Sequence, residues 1–264
     1  MVEREGYTVE PVGERAVARV VPGPVCAFCE GTGRRTLEMR GVQRVGRCRC
    51  QKIPDRVILY NRAQIPARYA ESTMATFRTD LPDARAGWTM CRNWLDRYRP
   101  GEENAGLILS GEPGRGKTHL LSAVLRELIF QHGVSCRFVE FTHLISSIKE
   151  GFDRKESEAT TLTPLVRVPV LAVDELGKGR RTEFEVAVLD EIITRRYNAR
   201  GTLLATTNYP LTRRAQPAAA TLALPGLESL SERLGDRIFS RLKESNTMIT
   251  VGGEDYRVTH AQRR

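Results

Sequence analysis

From residue 105 onward, unbroken apolar runs alternate with stretches whose apolar residues recur at helical spacing. "AGLILSG" (105–111) predicts a buried strand and "GKTHLLSAVLRELIFQ" (116–131) an amphipathic helix. "SCRFVEF" (135–141) predicts a strand, "THLISSIKEGF" (142–152) a helix, and "VPVLAVDE" (168–175) a strand with almost no polar interruption. "RTEFEVAVLDEIITRRYNA" (181–199) predicts a long helix, with Phe184, Val188, Ile192 and Tyr197 near one face, and "GTLLATTN" (201–208) another buried strand. Apolar strands joined by helices imply an α/β fold: a central parallel sheet with helices on both faces. The Pro/Ala-rich "RRAQPAAATLALPG" (213–226) interrupts this rhythm and predicts a loop insertion. "SERLGDRIFSRL" (231–242) then predicts a helix with Arg233, Arg237 and Arg241 four apart, so that three like charges share a face.

The N-terminal quarter follows another pattern. Residues 1–25 carry early charges and no apolar core, which excludes a secretory signal and predicts a flexible leader. Residues 26–52 hold a cysteine module, and residues 53–83 form a linker in which Pro54 and Pro66 break any long helix. Residues 84–264 form the α/β domain.

Charge changes the picture. Apolar content of 41% and charged content of 28% are ordinary for a globular chain, but a net charge of +9 suits an anionic partner such as nucleic acid. No apolar run approaches the roughly 18 residues of a membrane span, so the cytoplasm is the expected location. Thiols stay reduced there, and clustered cysteines suggest metal before disulfides.

The glycine-rich "GEPGRGKT" matches G-x4-G-K-[ST] after a strand and at the opening of a helix. Gly111, Glu112, Pro113, Gly114, Arg115, Gly116, Lys117 and Thr118 are therefore the candidate ATP-binding residues. Glycines let backbone N–H groups wrap the phosphates, and the helix N-terminus adds its dipole. Lys117 would contact the β/γ-phosphates and Thr118 would ligate Mg²⁺. Only six of the 41 basic residues are Lys, so a lysine here is informative: a compact ammonium fits a phosphate cradle and a guanidinium fork does not.

"VLAVDE" brings Asp174 and Glu175 to the carboxyl end of a strand, where open α/β sheets bind ligands. Asp174 is the candidate for the Mg²⁺ shell and Glu175 for polarising the attacking water. Asn208 closes the next strand; its amide could orient water or the γ-phosphate, or simply start the turn into Tyr209-Pro210.

Cys26, Cys29, Cys48 and Cys50 give C-x2-C, eighteen residues, then C-x-C. Four thiolates around a turn-rich loop suit tetrahedral Zn²⁺, with an iron–sulfur cluster or free thiols as rivals. Arg34, Arg35, Arg40, Arg44, Arg47 and Arg49 interleave them. Cys91 and Cys136 read as buried structural residues.

Taken in order, "GEPGRGKT", "VLAVDE", "LLATTN" and "RLGDRIFSRL" resemble an AAA+ ATPase. "IPARYAESTMATF" and "LDEIITRRYNARGTLLATTN" narrow the resemblance to bacterial helicase loaders of the DnaC/DnaI type and to IstB transposition helpers, over about residues 64–258. The resemblance implies an AAA+ core without a C-terminal lid, and a homo-oligomer in which an arginine reaches the neighbouring subunit's ATP. That role falls on Arg241, with Arg237 as second candidate. Leu230, Leu234, Ile238 and Leu242 would seat the helix, and Gly235 is read as tolerated within it. Arg257 matches a late family arginine that senses nucleotide.

Some loaders carry an N-terminal zinc module that docks on the replicative helicase, which implies that role for the cysteine module. Family members also grip DNA with the inner face of the ring. Lys149, Phe152, Arg154 and Lys155 in "SSIKEGFDRK" offer a suitable cation–aromatic mixture for single-stranded DNA. The expected function is ATP-dependent loading of the replicative helicase onto single-stranded DNA. The alternatives are a transposition helper and, from another class, a non-catalytic adaptor stabilised by nucleotide.

Overall fold

The computed structural model describes residues 6–39, 42–211 and 228–256. Two antiparallel hairpins come first, β1 (Tyr7–Val12) with β2 (Arg15–Val20) and β3 (Arg34–Met39) with β4 (Val42–Arg47). Helices α1 (Lys52–Ala63) and α2 (Pro82–Arg97) lead into the alternating core: β5 (Gly106–Ser110), α3 (Lys117–His132), β6 (Cys136–Glu140) and α4 (Phe141–Asp153). Short α5 (Glu158–Thr161) and α6 (Thr163–Arg167) precede β7 (Val170–Asp174), α7 (Glu183–Asn198) and β8 (Thr202–Thr207). The described chain closes with α8 (Leu230–Leu234), α9 (Asp236–Ser245) and β9 (Asn246–Thr250).

The central sheet is parallel throughout, in the order β6-β7-β8-β5-β9. Strands β5, β7 and β8 are buried at every position, as the apolar runs they carry predict. Alternate residues serve opposite faces. Leu107, Leu109, Val170, Ala172 and Leu204 meet α3 on one face, while Ile108, Leu171, Val173, Leu203 and Ala205 meet α4, α7 and α9 on the other. The first core strand, β5, lies between β8 and β9, so the chain reverses direction across the sheet beside it. That switch point puts the loop after β5 where α/β sheets bind ligands.

The described part of the expected flexible leader differs from that expectation. Residues 7–20 form a hairpin sewn to the core. Tyr7 stacks on Phe130 with ring centroids 3.6 Å apart, Ala16 and Ala18 are buried, and the Ala16 amide donates to the Ile65 carbonyl at 2.8 Å. The segment 53–83 is likewise more than a linker. Pro54 falls in the first turn of α1, where its missing N–H breaks no helical bond. Tyr60 and Ala63 of that helix are buried against the core.

The arginine helix also differs. Gly235 adopts φ 81°, ψ 155°, a conformation open to glycine alone, and splits the segment into α8 and α9. Arg233 therefore leaves the row that Arg237 and Arg241 still share. The Pro/Ala insertion and Arg257 lie outside the described residues.

Candidate functional site

The loop between β5 and α3 carries the phosphate-binding sequence. Gly116, at φ 80°, is the last residue before α3, and a Cβ there would meet the Phe77 ring at 2.7 Å. Glycine is required both by the backbone and by that close approach. Lys117 is buried, and its ammonium donates to the carbonyls of Gly111 and Glu112, both at 2.7 Å. An anionic phosphate is a stronger acceptor for this ammonium than either carbonyl. Arg115 points away from the crest, onto the Gly253 carbonyl and the Glu112 carboxylate.

Across the sheet edge, Thr118 Oγ1 donates to Asp174 Oδ1 at 2.9 Å. The two predicted Mg²⁺ ligands therefore converge, and hard oxygens so placed fit that ion. Burial raises the Asp174 pKa, against the pull of hydroxyl bonds from Thr206 and Thr118. Thr206 went unpredicted because a threonine in a buried strand carries no local sign of the side chains it meets. It donates to the Asp174 carboxylate and accepts from the Glu175 amide at 2.9 Å, so one side chain orients both acids. Glu175 holds a positive φ of 56° just past β7, and its carboxylate pairs with Lys178. Asn208 stands one residue beyond β8, half-buried.

Beside the phosphate loop opens a cleft of about 90 Å³ that includes Thr76, Phe77, Ala84, Gly116, His119 and Tyr256 in its lining. Phe77 and His119 meet edge to face with centroids 5.5 Å apart. Burial lowers the His119 pKa, against a hydrogen bond to the Thr73 carbonyl. A neutral imidazole and an aromatic ring next to a triphosphate loop suit a flat heterocycle such as adenine. These residues come from three separate parts of the chain, and sequence spacing did not group them.

The arginines part company. Arg233 donates to the carbonyls of Gly177 and Gly179, pairs with Glu228 at 2.8 Å and lies 4.8 Å over the Tyr209 ring. It clamps the loop that follows the acid pair. Arg241 donates to Thr194 at 2.8 Å and to Asp190 at 3.1 Å, while Arg237 stays 70% exposed, 3.7 Å from Asp190. The buried Arg196, also unpredicted, donates to five backbone carbonyls between Leu165 and Thr202 and staples α6 to the sheet.

The four cysteines come together. All four sulfurs lie within 4.8 Å of one another, with Cys26 to Cys48 at 3.8 Å and Cys29 to Cys50 at 3.6 Å. A tetrahedral ion with ~2.3 Å metal–sulfur bonds needs sulfurs about 3.8 Å apart, so one ion fits. The Cys29 thiol is lowered to about 7: burial opposes this, but the Gly33 and Gly31 backbone and neighbouring thiols outweigh it. Thiolate is the ligating form. Cys91 and Cys136 are buried, as expected, and burial pushes the Cys91 thiol up to about 12.

Lys149, Phe152, Arg154 and Lys155 cluster at the C-terminal end of α4. Phe152 is 45% exposed although its edge meets Phe184, and Arg154 pairs with Glu156 at 2.8 Å. Among the described residues, no helix is long and apolar enough to cross a membrane.

A family model described as IstB-like ATP binding protein matches residues 98–264. The replicative helicase loader DnaC of Escherichia coli (strain K12) is 23% identical over 193 residues, 73% of this chain and 71% of that one. DnaC of Buchnera aphidicola subsp. Schizaphis graminum is 30% identical over 199 residues, 74% of this chain and 73% of that one. The crystal structure of the DnaC helicase loader superposes with a TM-score of 0.60 at 29% identity, covering 70% of this chain and 99% of that chain. DnaI, at 23% identity with a TM-score of 0.54 over 73% of this chain and 94% of that one, shares the fold. With the phosphate loop, the acid pair and the parallel sheet in the places that ATP chemistry requires, the chain belongs to the IstB-like ATP-binding family, as an AAA+ ATPase of the DnaC and IstB group.

Proposed function

We propose that the chain is an ATP-dependent loader that delivers the replicative DNA helicase onto single-stranded DNA in the cytoplasm. The observation that supports this reading is the phosphate loop facing the Thr118–Asp174 pair in a chain that matches DnaC loaders along about three quarters of its length. Loading would be performed by a homo-oligomer whose ATP sites lie between subunits. A Zn²⁺-stabilised module at Cys26, Cys29, Cys48 and Cys50 would dock on the helicase. Zinc is favoured over an iron–sulfur cluster because a cluster's thiolates bind different irons and stand too far apart for a single ion.

The chemistry follows from the residues. The loop from Gly111 to Gly116, Pro113 excepted, presents backbone N–H groups to the β- and γ-phosphates, and Lys117 exchanges its carbonyl partners for phosphate oxygens. Thr118 and Asp174 would hold Mg²⁺, which neutralises charge building on the β/γ oxygens. Glu175 leaves Lys178, takes a proton from the attacking water, and the new bond to the γ-phosphorus forms as its bond to the bridging oxygen breaks. ADP and phosphate are the products. Asn208 orients that water, Arg241 reaches the neighbour's γ-phosphate in trans with Arg237 beside it, and Arg257 senses the nucleotide.

A second reading, the transposition helper, draws on the family match itself, whose description is IstB-like. The ATP-site roles are the same in both, and only the partner differs.

The DNA half of the proposal rests on Lys149, Phe152, Arg154 and Lys155. Reversing the charge of the three cations should weaken single-strand binding at least tenfold, and should flatten the salt dependence by about 2 log–log units, at roughly 0.7 per phosphate contact. Fluorescence anisotropy of a labelled oligonucleotide across a salt series reads both. Unchanged affinity and slope would remove these residues from the DNA path.

A further inference from the structure

Helices α7 and α9 pack through Leu189, Ile193, Ile238 and Leu242, all buried. At the edge of that seam one carboxylate meets two guanidinium groups. Arg241 Nη1 donates to Asp190 Oδ1 at 3.1 Å and to Thr194 Oγ1 at 2.8 Å, and Thr194 donates in turn to Asp190 Oδ1 at 3.1 Å. The three side chains close a ring of hydrogen bonds, with Asp190 and Thr194 one helical turn apart on α7. Arg237 stands 3.7 Å from the other carboxylate oxygen.

Burial separates the two arginines. Arg241 is 24% exposed and Asp190 28%, so their pair is shielded from solvent, whereas Arg237 is 70% exposed. The ring is not needed to hold the two helices together. The apolar seam does that, and Tyr197 Oη already bridges the same helices by donating to Glu244 at 2.8 Å. What the ring fixes is the direction of one guanidinium. Both protein bonds leave through Nη1, and among the described residues Nε and Nη2 carry no partner. Those two nitrogens form the fork edge that recognises a phosphate bidentately.

We propose that Asp190, supported by Thr194, is a positioning residue that aims Arg241 at the γ-phosphate bound by the adjacent subunit. The proposal rests on the reading of Arg241 as the trans arginine. Asp190 restricts a long, flexible side chain before the neighbour arrives, so less rotamer freedom is lost on assembly. Arg237 keeps the carboxylate compensated while Arg241 shares its charge with the phosphate.

The test is steady-state ATP turnover by the full-length chain at assembling concentrations, with ATP affinity and thermal midpoint measured on the same samples. Arg241→Ala should lower kcat. Asp190→Ala should lower kcat about tenfold or more, the scale of a misplaced catalytic group, with ATP affinity and midpoint unchanged. Asp190→Glu should recover part of the loss, and the Asp190→Ala, Arg241→Ala double variant should be no slower than Arg241→Ala. If Asp190→Ala does not fold, Asp190→Asn and Thr194→Val carry the same comparison. Wild-type turnover in Arg241→Ala would overturn both the trans-arginine reading and this proposal. Turnover within about twofold of wild type in the Asp190 variants, beside an impaired Arg241→Ala, would overturn the positioning role alone. So would an Asp190 loss that persists in full when Arg241 is already alanine.

Discussion

Glu175→Gln should bind ATP as the wild type does and turn it over at least about a hundredfold more slowly, the lower range for losing a general base. The amide keeps the shape of the side chain but cannot take a proton. Binding should survive because the groups that would hold the phosphates lie elsewhere: the glycine loop, the Lys117 ammonium and the Thr118–Asp174 pair. The backbone should tolerate the change too, since the positive φ at position 175 is held by the bond from its amide to Thr206. Phosphate release, alongside titration with a fluorescent ATP analogue, separates the two effects. Turnover within about threefold of wild type would remove Glu175 from catalysis. Lost binding with slow turnover would place it in the nucleotide cradle instead.

The second large effect concerns the cysteine module. Cys48→Ser should abolish metal binding and unfold the β3–β4 hairpin while leaving ATP binding by the core intact. Cys48 is 2% exposed, and its amide donates to the Gly33 carbonyl at 2.8 Å, so the ligand and the hairpin base are one structure. Little else sustains so small a unit: Val25, Val45 and Phe28 are exposed, and among the described residues neither large core cluster includes any from 26–50. A structural zinc contributes roughly 10–16 kcal/mol to folding such modules, far above what two short strands supply. Elemental analysis should find about one zinc per wild-type chain and none in the variant, and hydrogen exchange should lose protection from 34 to 47. Iron in place of zinc, or a hairpin that keeps its protection without metal, would overturn the assignment.

How much of this was legible in the sequence depends on the range over which each signal acts. The sheet was legible because β5, β7 and β8 each carry a short apolar run, LIL, VLAV and LLA, set between longer segments of helical periodicity. The phosphate loop and acid pair were legible because they are contiguous and end strands. The N-terminal hairpin was missed because its inner residues are small, Ala16 and Ala18, and because the ring under Tyr7 is Phe130, far along the chain. The split at Gly235 was missed because helix propensity counts glycine as a modest cost and is silent on ψ. Thr206 meets Asp174 and Glu175, and Phe77 meets Gly116, only through the tertiary fold. Except at Gly235, where the signal is a local backbone angle, the missing information was a contact between distant segments.

The arginine segment shows how such a contact changes a functional reading. Three arginines at a spacing of four read as one charged face, yet the fold gives them three roles. Arg233 braces the loop after the acid pair, Arg241 is oriented by Asp190 and Thr194, and Arg237 remains in solvent. The like-charge repulsion expected of a single helix is relieved by the break at Gly235 and by one carboxylate on α7.

A loader must engage the replicative helicase itself. The most direct measurement holds the tagged full-length chain with ATP and Mg²⁺ in extract of its own organism and identifies the captured proteins by mass spectrometry, with Cys48→Ser run in parallel. The replicative helicase should be captured with the wild-type chain and lost with the variant. A transposase captured in its place would contradict the loader function and move the same ATP chemistry to transposition.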